Sequence, residues 1–586
     1  MPILKLFSIW EKLVNNNKAP VSLLTGAYIY PSMIANYQKR SFLPILFALL
    51  CLQACKKDSP AENISNDASL SFTVDGVYNG TLLYTDASVL PLIRFTFTES
   101  VSLASANSIT WESSSGSKID FTVKLSNLDR TVELRPVSDL PGFTNFTVTV
   151  PSAFKPVTGG KLINPVSIKL VTRFDGKDKF PRISDDELLT LIQRQTFKYF
   201  WDFAHPVSGM ARERNTSGDI VTSGGTGFGL MGIVTAVYRN FISRAEALTR
   251  MQKILSFLKT AQRFHGAYPH WLNGNTGKVQ PFSAKDNGAD LVETAFLMEG
   301  LLVVRQYFDG NSPAETAMRS DITQLYNDVE WDWFRKKSEE RLYWHWSPDY
   351  NWDINLPVKG WNESLMVYVF GASSSTFGIP KSVYDNGWAG NGSMKNGNNY
   401  YGVQLPLGPA NGGPLFFEHY SLMALNPMSL TDAYANYETQ AVAHTKINYN
   451  YCVANPLKYS GYSSECWGLT ASDIQSGYAA SSPSNDKGYI APTAAVSSLP
   501  YAPEESMRAI RFFYYKLGDK LWGEYGFKDS FSMTDPWFAS SYLAIDQGPQ
   551  IVMIENYRSG LIWKLFMSCP EVRTGLRKLG FQSPNI

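Results

Sequence analysis

Three carboxylates in an otherwise apolar segment are the first candidates for chemistry. In KDNGADLVETAFLMEGLLVV (285–304), Asp286, Asp290 and Glu293 stand four and three residues apart. In a helix that spacing puts them on one face. Leu291, Val292, Ala295, Phe296, Leu297, Met298, Leu301 and Leu302 lie among them, and carboxylates buried beside such residues need partners. Capping accounts for Asp286, and the N-terminal dipole favours Asp290. Glu293, in the second turn, is left over, whereas a site accounts for all three. Carboxylates held close together raise one another's pKa, which sets an acid beside a base.

Other segments carry chemistry-bearing types. LPVKGWNESLMVYVFG (356–371) brings Glu363, Asn362 and Trp361 together just before an apolar run. NGGPLFFEHYSLMALNP (411–427) holds Glu418 and His419, and SECWGLTASD (464–473) holds Trp467. In AIDQGPQIVMIENYRSGLIW (544–563), Asp546 precedes Gly548-Pro549. Glu555 stands inside the apolar helix of that segment, with Arg558 as its expected partner. Aromatic residues make up 14% of the chain. In GAYPHWLNGNTG (266–277) and RLYWHWSPDYNWD (341–353) they stand among polar residues, as flat stacking surfaces would.

Several classes are excluded or disfavoured. GFGLMG (227–232) satisfies GxGxxG formally, but no convincing strand leads into it and no βαβ unit follows. GxSxG, P-loop and CxxC motifs are absent. No HExxH accompanies His419, and with six histidines in the chain a His-based metal centre is poorly supported, so neither metal nor cofactor is expected. A net charge of +1 gives no footprint for nucleic acid or for a membrane surface.

The elements that must position these residues fall into four stretches. YQKRSFLPILFALLCLQACKKDSP (37–60) has a basic start and a short apolar run, the pattern of an export signal. LQAC resembles a bacterial lipobox, which implies cleavage before Cys55 and lipidation of its sulfur. The expected location is therefore the bacterial outer membrane, reached only through that lipid anchor; Met33 is the expected start of translation. Residues 1–55 form this signal region and 56–68 a polar tether. From 69 to 175 about seven short alternating runs predict an immunoglobulin-like β-sandwich, read as a spacer rather than a glycan-binding module. From 184 to 582 the periodicity turns helical, opening on a Ser-Asp-Asp cap at 184–186. About ten helices separated by long loops, at 205–227, 266–285, 337–361, 373–413, 453–502 and 525–547, fit an all-α toroid with a cleft at one end. The expected fold is thus multidomain, an all-β sandwich followed by an (α/α)6 barrel, in a monomeric chain. Export permits a disulfide between Cys452 and Cys466 without requiring one.

YFWDFAHPVSGMARERN (199–215), TSGGTGFGLMGIVTAV (222–237), AKDNGADLVETAFLMEGLL (284–302), WNESLMVYVFG (361–371), GGPLFFEHYSLM (412–423), WGLTASD (467–473) and DQGPQIVMIENYRSGL (546–561) occur in order and resemble glycoside hydrolase family 144. The resemblance covers about 185–582. It implies an (α/α)6 barrel that hydrolyses β-1,2-linked glucan with inversion, to sophorose or short sophoro-oligosaccharides. Matched by motif, Asp286, Asp290 and Glu293 correspond to a carboxylate cluster in the family's cleft and Glu363 to an acidic residue there, while Glu418 departs from the expected pattern. An inverting glycosidase needs one carboxylic acid and one carboxylate on opposite faces of the bond. On this basis Glu363 is expected as the acid and a member of the Asp286/Asp290/Glu293 group as the base. Tyr268, Trp271, Trp361 and Trp467 are expected to stack on sugars, with Arg212, Arg214, His419 and Asp546 as further substrate contacts. Two other classes share part of this pattern. A glycan-binding lipoprotein would keep the aromatics but not need the carboxylates, and a polysaccharide lyase would show a basic rather than an acidic cleft.

Overall fold

The computed structural model describes residues 66–586. The signal region with Cys55, and all of the tether up to residue 65, lie outside the described residues. Two compact units divide the rest at residues 175 and 176.

The first unit is a sandwich of eight strands, one more than the sequence predicts: β1 (Leu70–Val74), β2 (Leu83–Ala87), β3 (Ile93–Phe97), β4 (Thr110–Ser113), β5 (Phe121–Ser126), β6 (Thr131–Pro136), β7 (Asn145–Val150) and β8 (Val166–Thr172). One sheet runs β1-β3-β6-β5 and the other β2-β8-β7-β4, antiparallel except for β2 on β8. The alternation explains the layering. Ile93, Phe95 and Phe97 point inward while Arg94 and Thr96 face out, and Arg94 pairs across the sheet with Glu133 at 2.8 Å. Phe95, Trp111, Val148, Phe154 and Ile168 fill the space between the sheets.

The second unit alternates buried and half-exposed helices. The outer set is α1 (Asp185–Trp201), α3 (Arg244–Thr260), α5 (Pro313–Asn327), a helical segment at 381–388, α8 (Tyr437–Ala454) and α10 (Pro503–Arg511). The inner set is α2 (Ser223–Tyr238), α4 (Leu291–Tyr307), α6 (Leu365–Ser373), α7 (Phe416–Ala424), α9 (Pro492–Val496) and α11 (Ala544–Ser559), buried over nearly their whole lengths. This is an (α/α)6 barrel. The outer helices begin as the sequence dictates. Ser184 accepts from the Glu187 amide while Glu187 reaches back to the Ser184 amide, and Ser243 and Glu246 repeat the box on α3. Short helices α12 (Leu561–Met567) and α13 (Pro570–Leu579) follow α11.

Glycine decides how closely the inner helices approach. A Cβ on Gly227 of α2 would collide with the Phe296 carbonyl of α4, and one on Gly300 of α4 with the Gly227 carbonyl. The formal GxGxxG is therefore a helix–helix contact. The buried Glu555 pairs with Arg239 of α2, at 2.6 and 2.9 Å, and not with the expected Arg558, which reaches Asp186 on α1. Glu299 on α4 is fully buried with neither oxygen hydrogen-bonded among the described residues, and burial pushes its carboxyl well up, so it is carried neutral. Cys452 and Cys466 are both buried free thiols.

Because inner and outer helices alternate in direction, every inner helix starts at the same end of the barrel. The connections that lead into the inner helices, 202–222, 261–290, 328–364, 389–415, 455–491 and 512–543, are the long ones and gather there. Helix N-termini favour negative charge, by about 0.3–1 kcal/mol each at exposed positions.

Candidate active site

The carboxylates of the first motif meet at the mouth, by a route other than one helical face. The helix begins at Leu291, and its N-cap is Asp290, whose Oδ1 accepts from the amides of Val292 and Glu293 at 3.0 Å each. Asp286 lies before the helix. Residues 289–290 instead form a short strand pair with 345–346 that sets Asp290 opposite His345. His345 Nε2 lies 3.2 Å from Asp286 and 3.5 Å from Asp290, while His270 Nδ1 lies 3.0 Å from Asp290. Glu293 points sideways to α2, where its Oε2 accepts from the Gly224 amide at 2.8 Å and from Thr222 at 3.4 Å. Its Oε1 faces His270 Nε2 at 3.8 Å.

Charge is balanced within this group. Burial opposes protonation of both histidines, but Glu293 and Asp290 raise His270 to about 9, and Asp286 and Asp290 raise His345 to about 10. Burial also opposes the charge on Asp290, yet hydrogen bonds from the two histidines hold it well below the usual carboxylate range. Burial pushes Glu293 up, Asp290 adds to that, and His270 offsets it. His270, Asp286 and Asp290 could each offer a ligand atom to one metal ion, within 4.8 Å of one another. Asp286 and Asp290 are already engaged by the two imidazoles, while His345 Nδ1 has no hydrogen-bond partner among the described residues.

Glu363 lies just before α6, half-buried, its carbonyl accepting from Ser421 of α7. Burial pushes its carboxyl up to about 8, with Glu293 and Asp290 adding to the shift. A second acidic group lies beside it in the ring. Arg214 is clamped by Glu213 at 3.0 Å and by Asp473 at 3.2 Å. Asp473 also takes the Ser541 hydroxyl at 2.5 Å and donates its amide to Asp529 at 2.6 Å. Asp546, in the first turn of α11, is buried, and burial followed by the charge of Asp529 pushes its carboxyl well up. Tyr420 joins the two groups. Its ring packs on Phe228, Phe296 and Phe416 as a floor, and after burial its hydroxyl feels Asp546, Glu363, Glu293 and Asp529.

Five expected substrate contacts are corrected. Tyr268 is fully buried and donates to the Leu258 carbonyl. Trp467 is fully buried and donates to the Glu505 carbonyl. Trp361 is 1% exposed and donates to Glu418, which also accepts from Gln440 and His444, so Glu418 is the centre of an internal network. None of these rings offers a face to sugar. His419 is buried against Ser498, and burial lowers it to about 3, leaving it neutral. Arg212 spends its guanidinium on the Phe203 carbonyl and ring. Trp271 remains half-exposed, 5.7 Å from the His270 ring and 4.7 Å from Phe282.

Sequence reasoning missed His270, His345, Glu213, Asp473, Asp529 and Tyr420. Both histidines stand inside the polar aromatic segments already singled out, and that was the signal available. Asp473 closes the quoted segment SECWGLTASD, and Asp529 had no such signal.

Comparison with known proteins fits this geometry. Residues 83–174 match a bacterial Ig-like domain, 192–323 a family described as a protein of unknown function, and 355–570 a family described as "Putative glucoamylase". An endo-β-1,2-glucanase of Chitinophaga pinensis, crystallised with sophorotriose and glucose, is 51% identical over 69% of this chain and all of its own, with a TM-score of 0.68. The chain belongs to glycoside hydrolase family 144. A protein of Bacteroides uniformis bearing the glucoamylase description is 56% identical over 70% of this chain and all of its own, with a TM-score of 0.69. An exo β-1,2-glucooligosaccharide sophorohydrolase (non-reducing end) of Parabacteroides distasonis is 45% identical over 68% of this chain, and the match spans 58% of that relative's length.

Proposed function

We propose that this family 144 member hydrolyses β-1,2-linked glucan with inversion, giving sophorose or short sophoro-oligosaccharides. The observation that carries the reading is one mouth holding both a carboxyl raised to about 8, on Glu363, and a carboxylate with an oxygen to spare, on Glu293. Glu363 is protonated at neutral pH and donates its proton to the departing glycosidic oxygen. Glu293 keeps Oε1 free of strong partners and takes a proton from the attacking water. Asp290 is a poorer base because four donors occupy its two oxygens. Asp286 and Asp290 with their histidines hold the base side rigid, and Trp271 is the remaining stacking surface. The relatives' names support the linkage.

Incubation with linear β-1,2-glucan is expected to release sophoro-oligosaccharides whose new reducing end is first the α-anomer, followed by proton NMR. Absence of new reducing ends would leave the glycan-binding alternative, and unsaturated products would mean a lyase. The lipid anchor at Cys55 is part of the proposal, supported by the LQAC motif. Cys55→Ser is expected to move the protein from the membrane to the soluble fraction; equal membrane retention would refute the anchor.

A further inference from the structure

A buried carboxyl outside the two acidic groups holds the segment that carries Glu363. Glu418, in the first turn of α7, is fully buried. Its Oε1 accepts from the Trp361 indole at 2.6 Å, from Gln440 at 2.8 Å and from His444 at 2.9 Å. Gln440 and His444 lie one turn apart on α8 and are themselves fixed. Gln440 Oε1 accepts from the Leu407 amide at 2.8 Å, and His444 Nε2 meets the Gly413 carbonyl at 2.9 Å. Gly412 packs so closely on that imidazole that a Cβ there would lie 2.1 Å from the ring. At the other end of these contacts is Glu363. Trp361 stands two residues before it, and Ser421, on the same face of α7 as Glu418, donates to the Glu363 carbonyl. Among the described residues no other one hydrogen-bonds the Glu363 carboxyl, so the backbone of this segment sets its aim.

Satisfying a buried indole does not require a carboxyl group. Among the described residues, the buried Trp467 and Trp563 donate to backbone carbonyls, while Nε1 of Trp111, Trp331 and Trp388 has no hydrogen-bond partner. Of these buried rings only Trp361 meets a carboxyl, a group that is costly to take out of water. Core packing alone does not account for it.

We propose that Glu418 is a positioning residue for the acid: by clamping the Trp361 indole it fixes the segment that aims the Glu363 carboxyl at the departing oxygen. The role rests on the proposed glycosidase function. One face of α7 then supplies both restraints, Glu418 on the indole and Ser421 on the backbone, and α8 keeps Glu418 in place. Proton transfer needs the acid roughly 2.6–3.2 Å from the leaving oxygen. A shift of the segment by about 1 Å therefore slows the chemical step without removing the contacts that bind sugar.

Steady-state kinetics of the full chain test this role on two substrates, β-1,2-glucan oligosaccharides and an aryl sophoroside whose leaving group needs little protonation. Trp361→Phe keeps a ring and removes the N–H, and Glu418→Leu removes both oxygens. Each should lower kcat on the oligosaccharides about a hundredfold, with KM within about threefold of wild type, and each should recover most of the rate on the aryl sophoroside. Glu418→Gln can place its oxygen at Oε1 and its amide at the Oε2 position, which has no partner among the described residues. It should stay within about tenfold of wild type. Damage to the fold would slow both substrates alike. Wild-type kcat in Trp361→Phe, an equal loss on both substrates, or a Gln variant no better than Leu overturns the positioning role. If Glu418→Leu does not fold, Trp361→Phe decides by the same two substrates. A wild-type protein inactive on β-1,2-glucan refutes the proposed function and this role with it, whereas an active wild type beside an unimpaired Trp361→Phe refutes the role alone.

Discussion

Glu363→Gln is expected to bind β-1,2-glucan oligosaccharides with near-wild-type affinity and to turn them over about a thousandfold more slowly. The amide fills the same half-buried position before α6, so the ground-state contacts survive. It has no proton of suitable acidity for the leaving oxygen. In the wild type the alkaline limb of kcat/KM should lie near the Glu363 value of about 8. The sign follows from the role: the acid must be protonated, so activity is full below that pH and falls as pH rises through it. An unshifted glutamic acid, near 4.5, would already be ionised at neutral pH. A substrate with a good leaving group, such as an aryl sophoroside, needs little protonation and should recover most of the rate in Glu363→Gln. Near-normal turnover of natural substrate, or no recovery with the activated one, would remove Glu363 from the acid role.

The sequence carried the architecture because periodicity carries it. A period-two stretch became a sandwich, a helical stretch became a barrel, and the long loops ended at one mouth because alternating helices leave them no other place. Local chemistry was legible where a single segment contains its own partners, as in the Ser184–Glu187 box. It was not legible where partners come from distant segments. Asp290 rather than Asp286 caps α4, because His345, 55 residues on, draws 289–290 into a strand pair. Glu555 finds Arg239 rather than its neighbour Arg558 because the inner helices α2 and α11 pack side by side.

Aromatic residues misled for a related reason. Trp361, Trp467 and Tyr268 stand in polar sequence, yet each ring is buried and its polar atom bonded to an outer-helix residue, a carbonyl or a buried carboxylate. A Trp or Tyr needs such a partner when buried, so polar neighbours in sequence are as consistent with a satisfied core residue as with a sugar platform. The glycines of SGGTGFGLMG hid the first turn of α2, which the sequence leaves in the 205–227 loop, for the opposite reason. Their low helix propensity argues against α2, but tight packing against α4 and α11 overrides it.

One of those glycines makes the base side testable. Glu293→Gln should reduce kcat about a thousandfold, since an amide cannot accept the proton of the attacking water. It should also shift the alkaline limb to lower pH, because the Glu293 carboxylate contributes to holding the Glu363 proton. Gly224→Ala approaches the same carboxylate without changing it. The new Cβ would lie 2.5 Å from Glu293 Oε2 and 3.0 Å from its Cδ, so Glu293 must leave the Gly224 amide. A displacement of that size is expected to cost about a hundredfold in kcat, with the melting temperature and Glu363→Gln-type rescue by an activated leaving group serving to separate the two sides of the site. Loss of the base affects water, not the leaving group, so the aryl sophoroside should rescue neither Glu293→Gln nor Gly224→Ala. Strong rescue of Glu293→Gln would assign Glu293 to the acid side, and an unshifted alkaline limb in that variant would mean that Glu293 and Glu363 do not face one another across the mouth.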